Sequence, residues 1–266
     1  MNAAFEARPA WRRQAAQTLS TTEIIAVEVP VSLVYNGIAH AVMLATPTDL
    51  ESLALGFSLT ENILQKPSEL YSCELVQNAE GYEVQMQIAN ERFEALKGHR
   101  RNLMGRSGCG LCGSESLALF AAETAAIAST VTIAVTALHR ALDRLSALQP
   151  VRAATGATHA AGWCTVAGDV LAVMEDVGRH NALDKLIGAM HRRAVDLTAG
   201  FVVVSSRASY EMVQKSVRVG IPLLAAISAP TQLAVDLARR SGMTLIAFAR
   251  SGSHTVYSHP QRMIEP

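Results

Sequence analysis

The 266-residue chain is short of lysine, of aromatic side chains and of net charge, and each shortage removes a class of function. Acidic and basic residues balance at 23 each. A protein that grips nucleic acid through its phosphates normally carries a basic excess or stripe, so no nucleic-acid partner is expected. Cysteine is scarce as well: four in the whole chain are too few for a disulfide framework at this length. No apolar run reaches the roughly 20 uninterrupted residues of a membrane-spanning helix. The longest, over 117–135, is rich in Ala and Thr and is broken by Glu123. The first twenty residues hold Arg8, Arg12 and Arg13 without an apolar core, unlike a secretory signal. The expectation is a soluble, cytoplasmic protein with reduced thiols and no membrane partner.

Half of the residues are hydrophobic and the mean hydropathy is +0.20, enough for one large domain or two smaller ones. The only lysines are Lys66, Lys97, Lys185 and Lys215, so most positive charge is arginine, whose planar fork suits phosphates and flat polar rings.

Along the chain, residues 1–21 form a polar, Ala- and Arg-rich extension expected to be flexible. Residues 24–44 are strand-like around Asn36-Gly37, a pair suited to the positive φ angles of a type I′ hairpin turn. Thr48 with Glu51 resembles a capping box opening a helix through about residue 64, and strands are expected over 73–77 and 82–88. Helices are expected over 114–127 and 136–148. The second half then alternates: strands over 162–166 and 170–174, a helix over 181–192, a strand over 201–204, a helix over 210–219, a strand over 223–227, a helix over 231–240 and a strand over 244–248. Such alternation predicts helices packed on a mostly parallel or mixed sheet. The domain division expected is an α+β subdomain over 22–130 and an α/β domain over 131–262.

Between the halves lies Gly105-Arg-Ser-Gly-Cys109-Gly-Leu-Cys112-Gly113, preceded by His99-Arg100-Arg101. A CxxC pair is half a zinc site, a dithiol redox pair, or a reactive thiol with a helper. A closed zinc site needs four ligands, and Cys73 and Cys164 are lone residues in predicted strands, where a free cysteine is ordinarily a small buried side chain. No metal is therefore expected. The formal G-x-G-x-x-G match lacks both a preceding strand and a later acidic partner. What remains is a reactive thiol pair: nearby arginines and a following helix N-terminus favour the thiolate, and a glycine-flanked loop can carry sulfur between two proteins.

Polar clusters interrupt the apolar second half at Thr155-Gly-Ala-Thr-His159, at Glu175-Asp-Val-Gly-Arg-His-Asn-Ala-Leu-Asp-Lys185, at Ser205-Ser-Arg-Ala-Ser209 and at Phe248-Ala-Arg-Ser-Gly-Ser253. The last three follow strand candidates, and the carboxyl ends of strands are where open α/β sheets bind ligands. Bland roles are available: Glu175, Asp176 and Asn181 as turn and cap residues, His180 and Asp184 as a surface pair, His159 as a structural histidine, Ser209 as a helix cap.

Together with the CxxC loop, the run 175–185, Ser206-Arg-Ala-Ser-Tyr-Glu211, Ala225-Ala-Ile-Ser-Ala-Pro230 and the closing stretch 242–250 resemble the FdhD family of formate dehydrogenase accessory proteins over roughly 22–257. The resemblance implies a cytidine-deaminase-like α/β/α layered second half and a homodimer. It implies a sulfur carrier, or sulfurtransferase, that accepts a persulfide from a cysteine desulfurase. The sulfur is then passed to molybdenum bis(molybdopterin guanine dinucleotide) before that cofactor enters formate dehydrogenase. Cys109 would be the carrier and Cys112 its helper. The cofactor-binding stretch maps onto Phe248, Ala249, Arg250, Ser251, Gly252 and Ser253, where Ser-Gly-Ser-His departs from the more glycine- or arginine-rich pattern of many relatives. Arg179, His180 and Arg207 are further candidates on chemical grounds.

Two rivals stand beside this reading. A zinc nucleobase deaminase needs H-x-E before P-C-x-x-C, and neither is present. A non-catalytic cofactor chaperone would bind the nucleotide without moving sulfur.

Overall fold

In a computed structural model the chain is described over residues 3–104 and 126–265, with side chains over 3–98 and 126–265. Cys109, Cys112, Arg106 and nearly all of the helix expected over 114–127 lie outside the described residues.

The extension expected over 1–21 is instead a hairpin: β1 (Phe5–Gln14) pairs antiparallel with β2 (Gln17–Ala26), in register from Phe5↔Ala26 to Gln14↔Gln17. Its second strand is rich in β-branched Thr and Ile, the strand signal that the polar Ala/Arg character of the first strand hides. Arg12 pairs with Glu23 across the two strands at 2.5 Å.

Four strands follow in the order β4-β3-β6-β5: β3 (Val29–Tyr35), β4 (Ile38–Ala45), β5 (Leu70–Gln77) and β6 (Tyr82–Ile88). The β3–β4 turn is the one predicted, with Asn36 at φ 46° and Gly37 at φ 82°. Helix α1 (Leu50–Thr60) covers this sheet, burying Leu50, Leu53 and Leu59 against Val31, Leu33 and Val84. Its N-cap is Asp49, without a side-chain cap bond, so the capping box expected at Thr48 and Glu51 does not form. Helix α2 (Asn90–Met104), which the sequence reading missed, continues from β6.

The second half is a mixed six-stranded sheet in the order β13-β12-β11-β10-β8-β9. Strands β10 (Gly200–Val204), β11 (Leu223–Ala226) and β12 (Thr244–Arg250) run parallel at its centre. Around them, β8 (His159–Thr165), β9 (Val170–Asp176) and β13 (Ser253–Ser258) each pair antiparallel with a neighbour. The short β7 (Ile133–Ala134) and β14 (Met263–Ile264) pair apart from it. β13 and β14 were not foreseen.

Strand alternation sends successive side chains to opposite faces. Val202, Val204, Leu224 and Leu245 thus pack under α5 (Arg179–Arg192), α6 (Tyr210–Arg218) and α7 (Gln232–Arg240). Phe201, Val203, Leu223 and Ile246 meet α3 (Val135–Ala147) on the other face. A one-and-a-half-turn α4 (Pro150–Thr155), also unforeseen, leads from α3 to β8. The fold is mixed α/β, as expected.

The halves join where α1 crosses α5. A Cβ on Gly56 would stand 1.8 Å from the Asp184 carbonyl oxygen, and one on Gly188 would stand 1.9 Å from that of Ser52. Only glycine permits so close an approach of two helix backbones. No helix among the described residues is long and apolar enough to cross a membrane.

Candidate functional site at the carboxyl edge of the central sheet

Strand directions bring five segments to one edge of the six-stranded sheet. They are the ends of β10, β11 and β12, the start of β8, and the turn from β9 into α5. The polar clusters of the second half converge there, but they do different work.

The run 175–185 turns most of its charge inward. The Glu175 carboxylate accepts from Val151 N at 2.9 Å, Arg152 N at 2.8 Å and the Thr158 hydroxyl at 2.9 Å, so it caps α4. Asp176, with no exposed surface, pairs with the equally buried Lys185 at 2.7 Å. Its carboxylate also accepts from Thr46 N (3.0 Å), Gly178 N (2.8 Å) and Asn181 Nδ2 (3.0 Å). Lys185 donates to the Thr46 carbonyl at 2.8 Å, and Asn181 Nδ2 to that of Leu44 at 2.8 Å. The end of β4 is thereby stitched to the β9–α5 turn.

One turn along α5, Asp184 receives Lys215 Nζ on both oxygens, at 3.1 and 2.8 Å, and the Thr60 hydroxyl at 2.8 Å. Lys215 also reaches Glu61 at 2.8 Å. Burial disfavours the Lys215 ammonium, but Asp184 and Glu61 outweigh it and its pKa is raised. The surface pairing of His180 with Asp184 expected from their spacing is therefore not formed: Asp184 faces the α1 interface, and His180 Nε2 lies 3.0 Å from Glu211 Oε2. No sequence spacing announces these pairs: both lie within the second half, and the groups that tie them to the first half, Thr46, Thr60 and Glu61, are more than a hundred residues away; the clue was that two of only four lysines sit among apolar residues of helices.

Removing those residues from the ligand-binding count leaves a smaller set. His159 Nδ1, Arg179 Nε and Ser209 Oγ are buried atoms with no hydrogen-bond partner among the described residues. Burial, then the charges of Arg179 and Arg152, holds the His159 pKa below its ordinary value. His180 is also lowered, by burial and then Arg179. Ser209 occupies the N-cap position of α6, as expected, yet its side chain makes no cap bond. Ser205 is spent on structure: its hydroxyl accepts from Ala160 N at 2.8 Å. Arg207 is exposed. Arg179 is the first residue of the fourteen-residue α5, so its guanidinium and the helix N–H groups can act together on an anion.

The segment 248–253 ends β12, which β11 separates from β10 in the same sheet. Phe248 is 47 % exposed and takes a left-handed φ of 51°, its N–H donating to the Ser228 carbonyl at 3.1 Å. Ala249 is buried, whereas Arg250, Ser251, Gly252 and Ser253 are exposed in the turn from β12 to β13. Ser251 Oγ lies 3.4 Å from Asp143 Oδ2. Neither CxxC cysteine can be related to these groups, since both lie outside the described residues. Both other cysteines lie in strands as expected, Cys164 buried and Cys73 only half-buried: burial pushes the Cys164 thiol up to about 12, and burial and then Glu51 push Cys73 up to about 11, so both stay protonated.

A family model described as the FdhD/NarQ family matches residues 26–264. The Sulfur carrier protein FdhD of Xanthomonas campestris pv. campestris (strain B100) is 53% identical over 252 residues, covering 95% of this chain and 90% of that protein. The protein of the same name from Cupriavidus necator is 50% identical over 253 residues, covering 95% of this chain and 87% of its own length. A crystal structure from Desulfotalea psychrophila, assigned as a formate dehydrogenase accessory protein, superposes with a TM-score of 0.79 at 21% identity, covering 98% of this chain and 100% of that one. This last likeness shows the fold.

Proposed function

The chain belongs to the FdhD/NarQ family, and on that premise we propose that it is a sulfur carrier that hands persulfide sulfur to the molybdenum cofactor destined for formate dehydrogenase. The observation that carries this reading is the near full-length match, at about half identity, to proteins named Sulfur carrier protein FdhD. The donor is a cysteine desulfurase. The Cys109 thiolate attacks the outer sulfur of the donor's persulfide, the donor thiolate leaves, and Cys109 holds the sulfur as its own persulfide. Cys112 assists by accepting that sulfur in exchange. The protein acts in the cytoplasm.

The acceptor, bis(molybdopterin guanine dinucleotide), is cargo rather than a resident cofactor. Its guanine and pyrophosphate groups suit the carboxyl edge of the sheet: Phe248 offers a flat apolar face, and Arg250, Ser251, Gly252 and Ser253 offer exposed polar groups beside it. Arg179 and the α5 N-terminus form the second anion-receptive place. Helices on both faces of the mixed sheet support the cytidine-deaminase-like layering of 131–262, and the sheet β4-β3-β6-β5 with α1 is the core of the smaller subdomain. The hairpin offers a homodimer surface: Phe5, Trp11 and Ile24 share its open face, with Trp11 75 % exposed.

The test incubates the purified protein with a cysteine desulfurase and cysteine. Mass spectrometry is expected to find one added sulfur on Cys109, removed by reductant, and Cys109→Ala is expected to abolish formate dehydrogenase activity in cells. GDP binding is expected to weaken about tenfold in Arg250→Ala, the loss of one charge-assisted contact. If neither thiol gains sulfur while GDP still binds, the protein is a cofactor chaperone instead.

A further inference from the structure

His139, on the second turn of α3, and His254, the second residue of β13, are 115 residues apart in sequence and meet in space. His139 Nε2 and His254 Nδ1 stand 3.2 Å apart, with the rings edge-on at 72° and their centroids 5.3 Å apart. Both rings are half-buried. Two imidazoles facing nitrogen to nitrogen either share one proton in a hydrogen bond or turn both lone pairs to one cation. Zinc–imidazole bonds of about 2.0–2.1 Å in a tetrahedral arrangement place two ligand nitrogens roughly 3.4 Å apart. The observed separation needs only a few tenths of an ångström of opening.

Asp143 lies one turn beyond His139 on α3, the i,i+4 spacing that puts two side chains on one helix face, and its carboxylate lies 3.4 Å from Ser251 Oγ. A neutral imidazole is the form that binds metal. Among the described residues no three His, Cys, Asp or Glu side chains stand together as a complete set. The protein ligands are thus two imidazoles, with the remaining positions open to water.

We infer that His139 and His254 form a two-histidine site for a borderline divalent cation such as zinc or nickel, clamping α3 to β13 beside the β12–β13 turn. Imidazole pairs suit these ions and not magnesium or calcium, which take oxygen ligands. The site does not depend on the sulfur-carrier reading.

The test uses the full chain with Cys109 and Cys112 replaced by serine, so that thiolates cannot compete. Zinc chloride titration followed by ¹⁵N NMR of the histidine rings is expected to shift Nε2 of His139 and Nδ1 of His254 together, saturating at one equivalent. Calorimetry is expected to show at least tenfold weaker binding at that site in either His139→Asn or His254→Asn. Ring signals of the two histidines left unmoved by saturating zinc would overturn the proposal, since they report on the folded protein directly. So would a His254→Asn variant that binds zinc as tightly as the parent. In either case the pair is a hydrogen bond and nothing more.

Discussion

The segments 175–185 and 248–253 both begin in the last residues of a strand, both are polar, and both lie at the same edge of the six-stranded sheet, yet they use their polar atoms in opposite ways. In the first, Glu175 caps a helix, while Asp176, Asp184 and Lys185 are consumed by buried bonds to Thr46, Thr60 and Lys215. In the second, Arg250 and Ser253 are exposed and the turn is tethered mainly by its backbone. A polar signature is therefore not a ligand list. The distinctive acidic and lysine residues of 175–185 hold the two halves together, and their effect on binding is to fix where the α5 N-terminus and Arg179 stand.

The contrast is broken most directly by Lys185→Met. Losing one partner of a buried ion pair leaves Asp176 charged and uncompensated, at a cost of about 3–5 kcal/mol. Urea denaturation is expected to show that loss, whereas Arg250→Ala is expected to stay within about 0.5 kcal/mol of the parent. Equal stability of the two variants would erase the distinction between the segments. A smaller contrast separates two glycines. Gly188→Ala forces a methyl group to 1.9 Å from the Ser52 carbonyl and is expected to cost about 1–3 kcal/mol or more. Gly252→Ala meets no atom of the described residues within 4 Å and bears only the strain of a φ of 78°, about 1 kcal/mol; thermal melts of the two variants give the order. The smallest effect is in pH. His159, His180 and His191 have pKa values lowered first of all by burial. The unfolded chain then binds more protons, so their contribution is fully present above about pH 6.5 and is lost as pH falls through the lowered values. Urea midpoints at pH 7.5 and 5.5 are expected to show the decline, and His159→Gln to lessen it.

Much of the fold was legible because period and turn chemistry are local. Asn36-Gly37 can adopt the φ angles of a tight hairpin turn, and the alternation of Phe201, Val202, Val203 and Val204 marks a strand buried on both faces. The hairpin at the N-terminus was missed because its first strand is polar and gains its strand character from its partner. The capping box failed because Asp49, in a left-handed conformation, starts α1 instead. Of the candidate site, the clustering of polar residues after strands was visible, but not which of them would be left unpartnered.

What the sequence by itself determined was the class of fold, the family signature and the presence of one unusual thiol pair, since each is carried by neighbouring residues. Only the tertiary structure decided that Asp184 faces Lys215 rather than His180, that α1 and α5 touch at glycine, and that His139 meets His254. The reason is physical: a buried charge takes whichever partner packing brings within about 3 Å, and that partner need not be near it along the chain.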